Sequence, residues 1–212
     1  MEVGNYYSRA RAWPSKLNVK QNSKILDIGC GTGVLGRFLK HQFNASVTGI
    51  EVLPECANIA RESLEKVFCE DIEKTNILSK LRNFDHVIFS DSLEHLVEPD
   101  LVLQKIVSVM SSGDSSVLIS IPNVRNFRVL GPLVFRGDWK YESEGLLDRT
   151  HLRFFTKKSI CRTLHENGFE VKNIKCELPL TSLSGKLNLL TLGLFEGFLT
   201  SHYYVEACKR KS

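Results

Sequence analysis

Apolar residues in this chain fall into short runs of strand length, separated by segments with helical spacing. The runs are KILDIG (24–29), SVTGIE (46–51), KVFCEDI (66–72), DHVIFSD (85–91) and SVLISIP (116–122). Unbroken apolar runs of this length fit strands buried on both faces, with the intervening helices as crossovers. The pattern therefore predicts an α/β fold with a mostly parallel sheet. VLGRFLKHQF, PECANIARESLEKV and PDLVLQKIVSVMSS read as those helices, the last two opening on proline, which a first helical turn tolerates. Further on, KKSICRTLHENG reads as a helix stopped by glycine, leading to a strand at FEVKNIKCEL, and a final strand is expected at HYYVEACK.

Two stretches interrupt the alternation. Residues 123–156, rich in aromatic and basic side chains, read as a substrate lid, because long insertions in a compact domain are commonly binding loops. Residues 179–201 form an apolar insertion before the last strand. It suits either an amphipathic contact with a membrane surface or lipid-linked substrate, or a helix packed on the core or a second subunit. The packed helix is the commoner use of an apolar stripe.

Composition narrows the setting. With 212 residues, 42% of them hydrophobic, one core accounts for the chain, so a single domain over 1–212 is expected, its first 20 residues an N-terminal arm. The net charge of +4 is dispersed, which does not favour nucleic acid as a partner. Cys30, Cys56, Cys69, Cys161, Cys176 and Cys208 form no C-x-x-C pair and follow no secretory leader, the pattern of reduced thiols in a cytoplasmic protein. No stretch approaches the roughly 20 unbroken apolar residues of a membrane span.

Candidate chemistry begins at KILDIGCGTGVLG, where glycines let the backbone bend sharply beside a ligand and the following helix presents free N–H groups. Gly31, Gly33 and Gly36 match G-x-G-x-x-G, and Glu51 follows about 20 residues on, as in a dinucleotide fold. Asp27 opposes that reading, since a carboxylate beside the loop repels a pyrophosphate and suits an ammonium group. Further along, SDSLEHL places Asp91, Glu94 and His95 at positions i, i+3 and i+4, one face of any helix that forms there.

Taken together, the glycine loop and its acids resemble the class I S-adenosylmethionine-dependent methyltransferases over roughly residues 20–175 and the last strand. The resemblance implies a Rossmann-like fold, with a seven-stranded sheet, the last strand antiparallel, plus the lid insertion. It implies that Asp27 and the backbone of Gly29 and Gly31 hold the methionine part of the cofactor. Glu51 would take the ribose hydroxyls and Asp71 the adenine amino group. Ile72 and Val52 or Leu53 would flank the ring, and Ser90 would line the pocket. Tyr6, Tyr7 and Arg11 would close over it from the arm.

SDSLEHL is similar to the acid-x-x-Glu-His stretch of ubiquinone-pathway O-methyltransferases and small-RNA 2'-O-methyltransferases, where it looks like a divalent-metal site completed by a later histidine. Here His151 supplies that histidine, while Asp91 is shorter than the glutamate of those relatives. The expectation is a proton-handling cluster of Asp91, Glu94, His95 and His151, with His151 as leading base and a divalent metal admitted but not expected. The stretch from IPNVRNF to GLLDRTHLRFFT is similar to a bacterial subgroup associated with polysaccharide and small-molecule pathways. That implies a hydroxyl of a small molecule or glycan precursor as acceptor. Arg125, Arg128, Arg136, Arg149, Arg153, Trp139 and Tyr141 are then either substrate contacts or the lid's own core and rim. An RNA 2'-O-methyltransferase, a nicotinamide-dependent oxidoreductase, a non-catalytic binding module and a homodimeric assembly stay open.

Overall fold

The computed structural model describes residues 13–111, 113–176, 178 and 181–210. Its seven strands are β1 (Lys24–Ile28), β2 (Ser46–Glu51), β3 (Lys66–Cys69), β4 (His86–Ser90), β5 (Ser116–Pro122), β6 (Phe169–Cys176) and β7 (His202–Lys209). They form one sheet in the order β3-β2-β1-β4-β5-β7-β6. The pairs from β3 through β5 are parallel, whereas β7 runs antiparallel to both β5 and β6. Order reverses at β1 and β4, so a crevice opens beyond their carboxyl ends, where open α/β sheets bind ligands.

Helices α1 (Val34–Phe43), α2 (Pro54–Ala60), α3 (Pro99–Ile106) and α5 (Lys157–Glu166) cover the sheet, with α4 (Phe127–Arg136) in the lid and α6 (Leu183–Leu190) and α7 (Glu196–Leu199) in the later insertion. Two apolar cores result, one on each face of the sheet. Leu26, Phe89, Leu103 and Ile119 lie in the first, and Ile25, Leu39, Val47 and Ile88 in the second. Gly36 sets the spacing of α1 over the sheet: a Cβ there would sit 2.4 Å from Leu64 Cδ2 and 3.0 Å from Val47 Cγ1. This third glycine therefore serves helix packing.

Several elements are shorter than their patterns predict. The segment from Pro54 is helical only to Ala60, after which turns take over and Leu64 turns inward to pack in the second core. The segment from Pro99 leaves the helix after Ile106, although Val109 and Met110 remain buried, because Phe84 and Met110 join in a β-bridge that needs extended backbone. The β3 run ends at Cys69, where its pairing with Glu51 ends.

Both insertions leave and return at one corner. The lid closes on itself where Asn123 bridges Phe155 and Val124 N–H donates to Phe155 O at 3.0 Å. Asn123, fully buried, also donates from Nδ2 to the carbonyls of Gly197 and Thr200, each at 2.9 Å, and its N–H donates to Ser201 O. One asparagine thus ties the lid to the later insertion.

Candidate active site

The glycine loop turns from β1 into α1 through Gly29, Gly31 and Gly33, whose φ angles are 75°, 54° and 76°. At Gly29 a side chain would also collide, since an added Cβ would lie 2.8 Å from Ser92 Cβ. Ser92 approaches because its hydroxyl donates to Ile28 O at 2.7 Å, pinning the chain after β4 to the end of β1. Gly29→Ala is expected to lower stability by about 1–3 kcal/mol, through left-handed strain and overpacking, and to weaken cofactor binding. Urea denaturation with and without S-adenosylhomocysteine measures both; an unchanged midpoint would mean the loop relaxes freely.

Glu51 braces this loop. Its Oε2 accepts from Gly31 N–H at 2.8 Å and its Oε1 from Leu53 N–H at 2.9 Å. The Gly31 N–H expected to face the cofactor is therefore engaged with the acid, while each Glu51 oxygen keeps a second lone pair for a hydroxyl. Asp27, at the end of β1, is 1% exposed, and neither carboxylate oxygen has a hydrogen-bond partner among the described residues. Burial first, and then the charge of Glu51, push its carboxyl up to about 7. A buried carboxylate in that state calls for a cation, and an ammonium group fits it.

The other predicted pocket residues follow β2 and β3 or end β4. Val52 and Leu53 are exposed, and Ile72 is buried in the first core. Asp71 accepts from Glu73 N–H at 3.0 Å and pairs with Lys74 at 2.8 Å, a contact that holds its carboxyl below the ordinary value. Ser90 Oγ accepts from the Trp13 indole at 3.1 Å. Trp13 is buried and stacks on Tyr204 with ring centres 5.5 Å apart, so it anchors the arm beside the pocket. The residues expected to close over the cofactor, Tyr6, Tyr7 and Arg11, lie outside the described residues.

SDSLEHL does not form the expected helical face. Only a three-residue 3-10 turn, Leu93–His95, follows β4, and Asp91 precedes it in the left-handed region with φ 50°. That kink turns Asp91 away from Glu94 and His95. Its Oδ1 accepts from Ser120 Oγ at 2.8 Å and lies 3.6 Å from His202 Nε2.

Glu94, 1% exposed, meets His151 instead. Its backbone carbonyl accepts from the N–H groups of Leu152 and Arg153 at 2.9 and 3.0 Å, which clamps the lid's returning segment beside the turn. His151 Nε2 then lies 3.8 Å from Glu94 Oε1, and the His95 and His151 rings meet edge to face at 4.8 Å. Each imidazole is oriented by a backbone carbonyl: His95 Nδ1 is 3.1 Å from Thr150 O, and His151 Nδ1 is 3.3 Å from Leu146 O. A carbonyl only accepts, so the neutral form of either ring carries its proton on Nδ1 and its lone pair on Nε2. Burial, and next the nearby His95, hold His151 below its ordinary pKa. His202 contributes in the same direction, so the Asp91–His202 pair adjoins this cluster.

Sequence reading missed His202 and Trp13. Neither belongs to a local motif; only the strand order, which puts β7 beside β5, brings His202 to Asp91. The lid aromatics form a small cluster of their own, with Trp139 edge-on to Tyr141 at 6.5 Å and to Phe154 at 5.3 Å. Arg125 lies 4.2 Å over the Phe198 ring, and Arg149 and Arg153 donate to the carbonyls of Glu142 and Val97, so these three serve the rim.

Comparison with known proteins agrees with this geometry. A family model described as a methyltransferase domain matches residues 5–174. The ubiquinone biosynthesis O-methyltransferases of Aeromonas salmonicida and Glaesserella parasuis are each 26% identical, over 71% and 75% of this chain; the matches span 64% and 70% of those proteins. Among solved structures, an S-adenosylmethionine-dependent methyltransferase from Archaeoglobus fulgidus superposes with TM-score 0.65 at 21% identity, covering 90% of this chain and 87% of that one. One from Mesorhizobium loti superposes with TM-score 0.63 at 17% identity, covering 92% and 95%. The chain belongs to the methyltransferase-domain family, and its sheet has the class I, Rossmann-like arrangement, seven-stranded with the last strand antiparallel.

Proposed function

We propose that the chain is an S-adenosylmethionine-dependent O-methyltransferase whose acceptor is a hydroxyl of a small molecule or glycan precursor. The observation that carries the oxygen chemistry is the buried meeting of Glu94 Oε1 and the His151 Nε2 lone pair at 3.8 Å. The Nε2 lone pair of a neutral His151, held in a buried site beside the Glu94 carboxylate, is placed to accept a proton from a hydroxyl brought to it. A hydroxyl brought there loses its proton to His151, and Glu94 stabilises the imidazolium that forms. Asp27 holds the ammonium end of the cofactor, the remaining lone pairs of Glu51 take the ribose, and Asp71 takes the adenine amino group with Ile72 and Val52 against the ring. The cofactor, when bound, supplies an electrophilic methyl group on sulfur. The protein's part is alignment, exclusion of water and proton removal.

A second reading is favoured by a specific arrangement. One ligand atom each from Glu94, His95 and His151 lie within 4.8 Å of one another. A carboxylate and two imidazole nitrogens, both rings oriented by backbone carbonyls, suit a divalent cation, which lowers the pKa of a bound hydroxyl. Asp91 lies outside this set, so three protein ligands would hold the ion.

Calorimetric titration with S-adenosylhomocysteine, with and without manganese and against NAD as control, tests both readings. The expected result is binding of S-adenosylhomocysteine and none of NAD. Heat from manganese that disappears in His151→Ala would establish the cation; binding of NAD alone would overturn the methyltransferase reading. If His151 acts as a bare base, kcat/KM falls as pH drops, with its acid limb below the ordinary imidazole value of 6.5, because the depressed pKa keeps the lone pair available to lower pH. A limb above that value would assign the base elsewhere.

A further inference from the structure

We propose that Glu73 is a positioning residue that ties the cofactor's adenine site to the Glu94 and His151 centre, so that occupancy of the first firms the second. With Asp71 at the adenine end, the reading on which this inference rests, the network starts at the cofactor. Glu73 follows Asp71 by two positions, and its N–H donates to Asp71 Oδ1 at 3.0 Å. Its own carboxylate reaches across to the chain after β4. There Oε2 accepts from Val97 N–H at 3.1 Å and Oε1 from Glu98 N–H at 2.7 Å. These are two charge-assisted bonds on the backbone just beyond the Leu93–His95 turn.

Glu73 therefore holds the far end of the segment that carries Glu94, whose near end is held by Ser92 Oγ on Ile28 O. Between these ties Leu93 and Leu96 are buried in the same core as Ile72. The bonds continue into the lid. Val97 O accepts from Arg153 Nη2, while the N–H groups of Arg153 and Leu152 donate to Glu94 O. His151 directly precedes Leu152, so what fixes Val97 also fixes the segment that brings His151 to 3.8 Å from Glu94. An adenine amino group arriving at Asp71 adds a donor to the carboxylate that already accepts from Glu73. The restrained 71–73 segment then has less freedom to lose in holding Val97 and Glu98, which is the entropic form of coupling between two sites. Such coupling is reciprocal: a clamped lid tightens cofactor binding by the same factor.

Hydrogen exchange at the Leu152 and Arg153 amides, followed by NMR on the whole protein with and without saturating S-adenosylhomocysteine, decides it. In wild type the ligand should slow both amides at least about fivefold. Glu73→Gln keeps the size of the side chain but sets an amide NH2 against one of the two backbone N–H groups. Its slowing should fall below about twofold, although it keeps wild-type circular dichroism and still binds S-adenosylhomocysteine. Arg153→Ala changes an exposed side chain at the other end of the network and should remove the slowing at Leu152 in the same way. Slowing that survives in either folded variant would overturn the proposal, because the ligand would then reach the lid by another route. So would wild-type protein that binds S-adenosylhomocysteine with no change at these amides. Absence of that binding would remove the methyltransferase reading and this inference together.

Discussion

Asp27→Asn is expected to make the cofactor-free protein more stable at about pH 8, by about 1–3 kcal/mol, while weakening S-adenosylhomocysteine binding roughly 100-fold or more. The cause is the uncompensated burial of Asp27, which raises its carboxyl from 3.8 to about 7. Between those values the folded state binds more protons than the unfolded state, so stability falls as pH rises through this window. The full shift corresponds to about 4 kcal/mol at high pH; the amide recovers less, because it keeps unpaired polar atoms in the same site. Urea denaturation at about pH 4.5 and pH 8 measures the effect. The variant's advantage should be largest at the higher pH and small at the lower, and added S-adenosylhomocysteine should stabilise wild type only. Equal stability at both pH values would show that Asp27 is compensated in the free protein. Wild-type affinity in the variant would remove it from the cofactor site.

His151→Ala should reduce turnover by about 10²–10⁴-fold with little change in S-adenosylhomocysteine affinity, because the residue sits in the lid against Glu94 and belongs to none of the predicted cofactor contacts. Glu94→Gln should produce a similar loss, and the double variant little more than either alone, the behaviour of groups acting as one unit. Single-turnover rates with a hydroxylated acceptor, alongside calorimetry, separate the two effects. Retained turnover in His151→Ala, lost instead in His202→Ala, would transfer the proton-accepting role to the Asp91–His202 pair, whose atoms approach to 3.6 Å.

Much of the site was legible because it is local. The run from Lys24 to Gly36 carries strand, turn and helix start in one stretch, and its acid at position 27 already argued against a pyrophosphate. Glu51, Asp71 and Ser90 could be placed at or just beyond strand ends from the same alternation, because buried parallel strands leave long apolar runs whose ends are visible. The later histidine and its place in a cluster with Glu94 were legible only as a resemblance; which of the two acids it meets was not.

SDSLEHL shows where local reading stops. Spacing alone put Asp91, Glu94 and His95 on one face, a rule that holds only if a helix forms. The chain instead takes a left-handed kink at Asp91 and a single 3-10 turn, because Ser92 is tied to Ile28 and Leu93 is drawn into the core. The exposed leucines of α6 show the same limit from the other side, since an apolar stripe with core spacing predicts burial and the fold supplies no core there.

The succession of strands along the chain, the glycine turn and the acids at the strand ends follow from the sequence itself, since each depends on residues within one turn or one strand of each other. Which acid meets which histidine was decided by tertiary structure. Glu94 and His151 are 57 positions apart and Asp91 and His202 are 111, and such pairs form only when sheet order and lid closure bring distant backbone together.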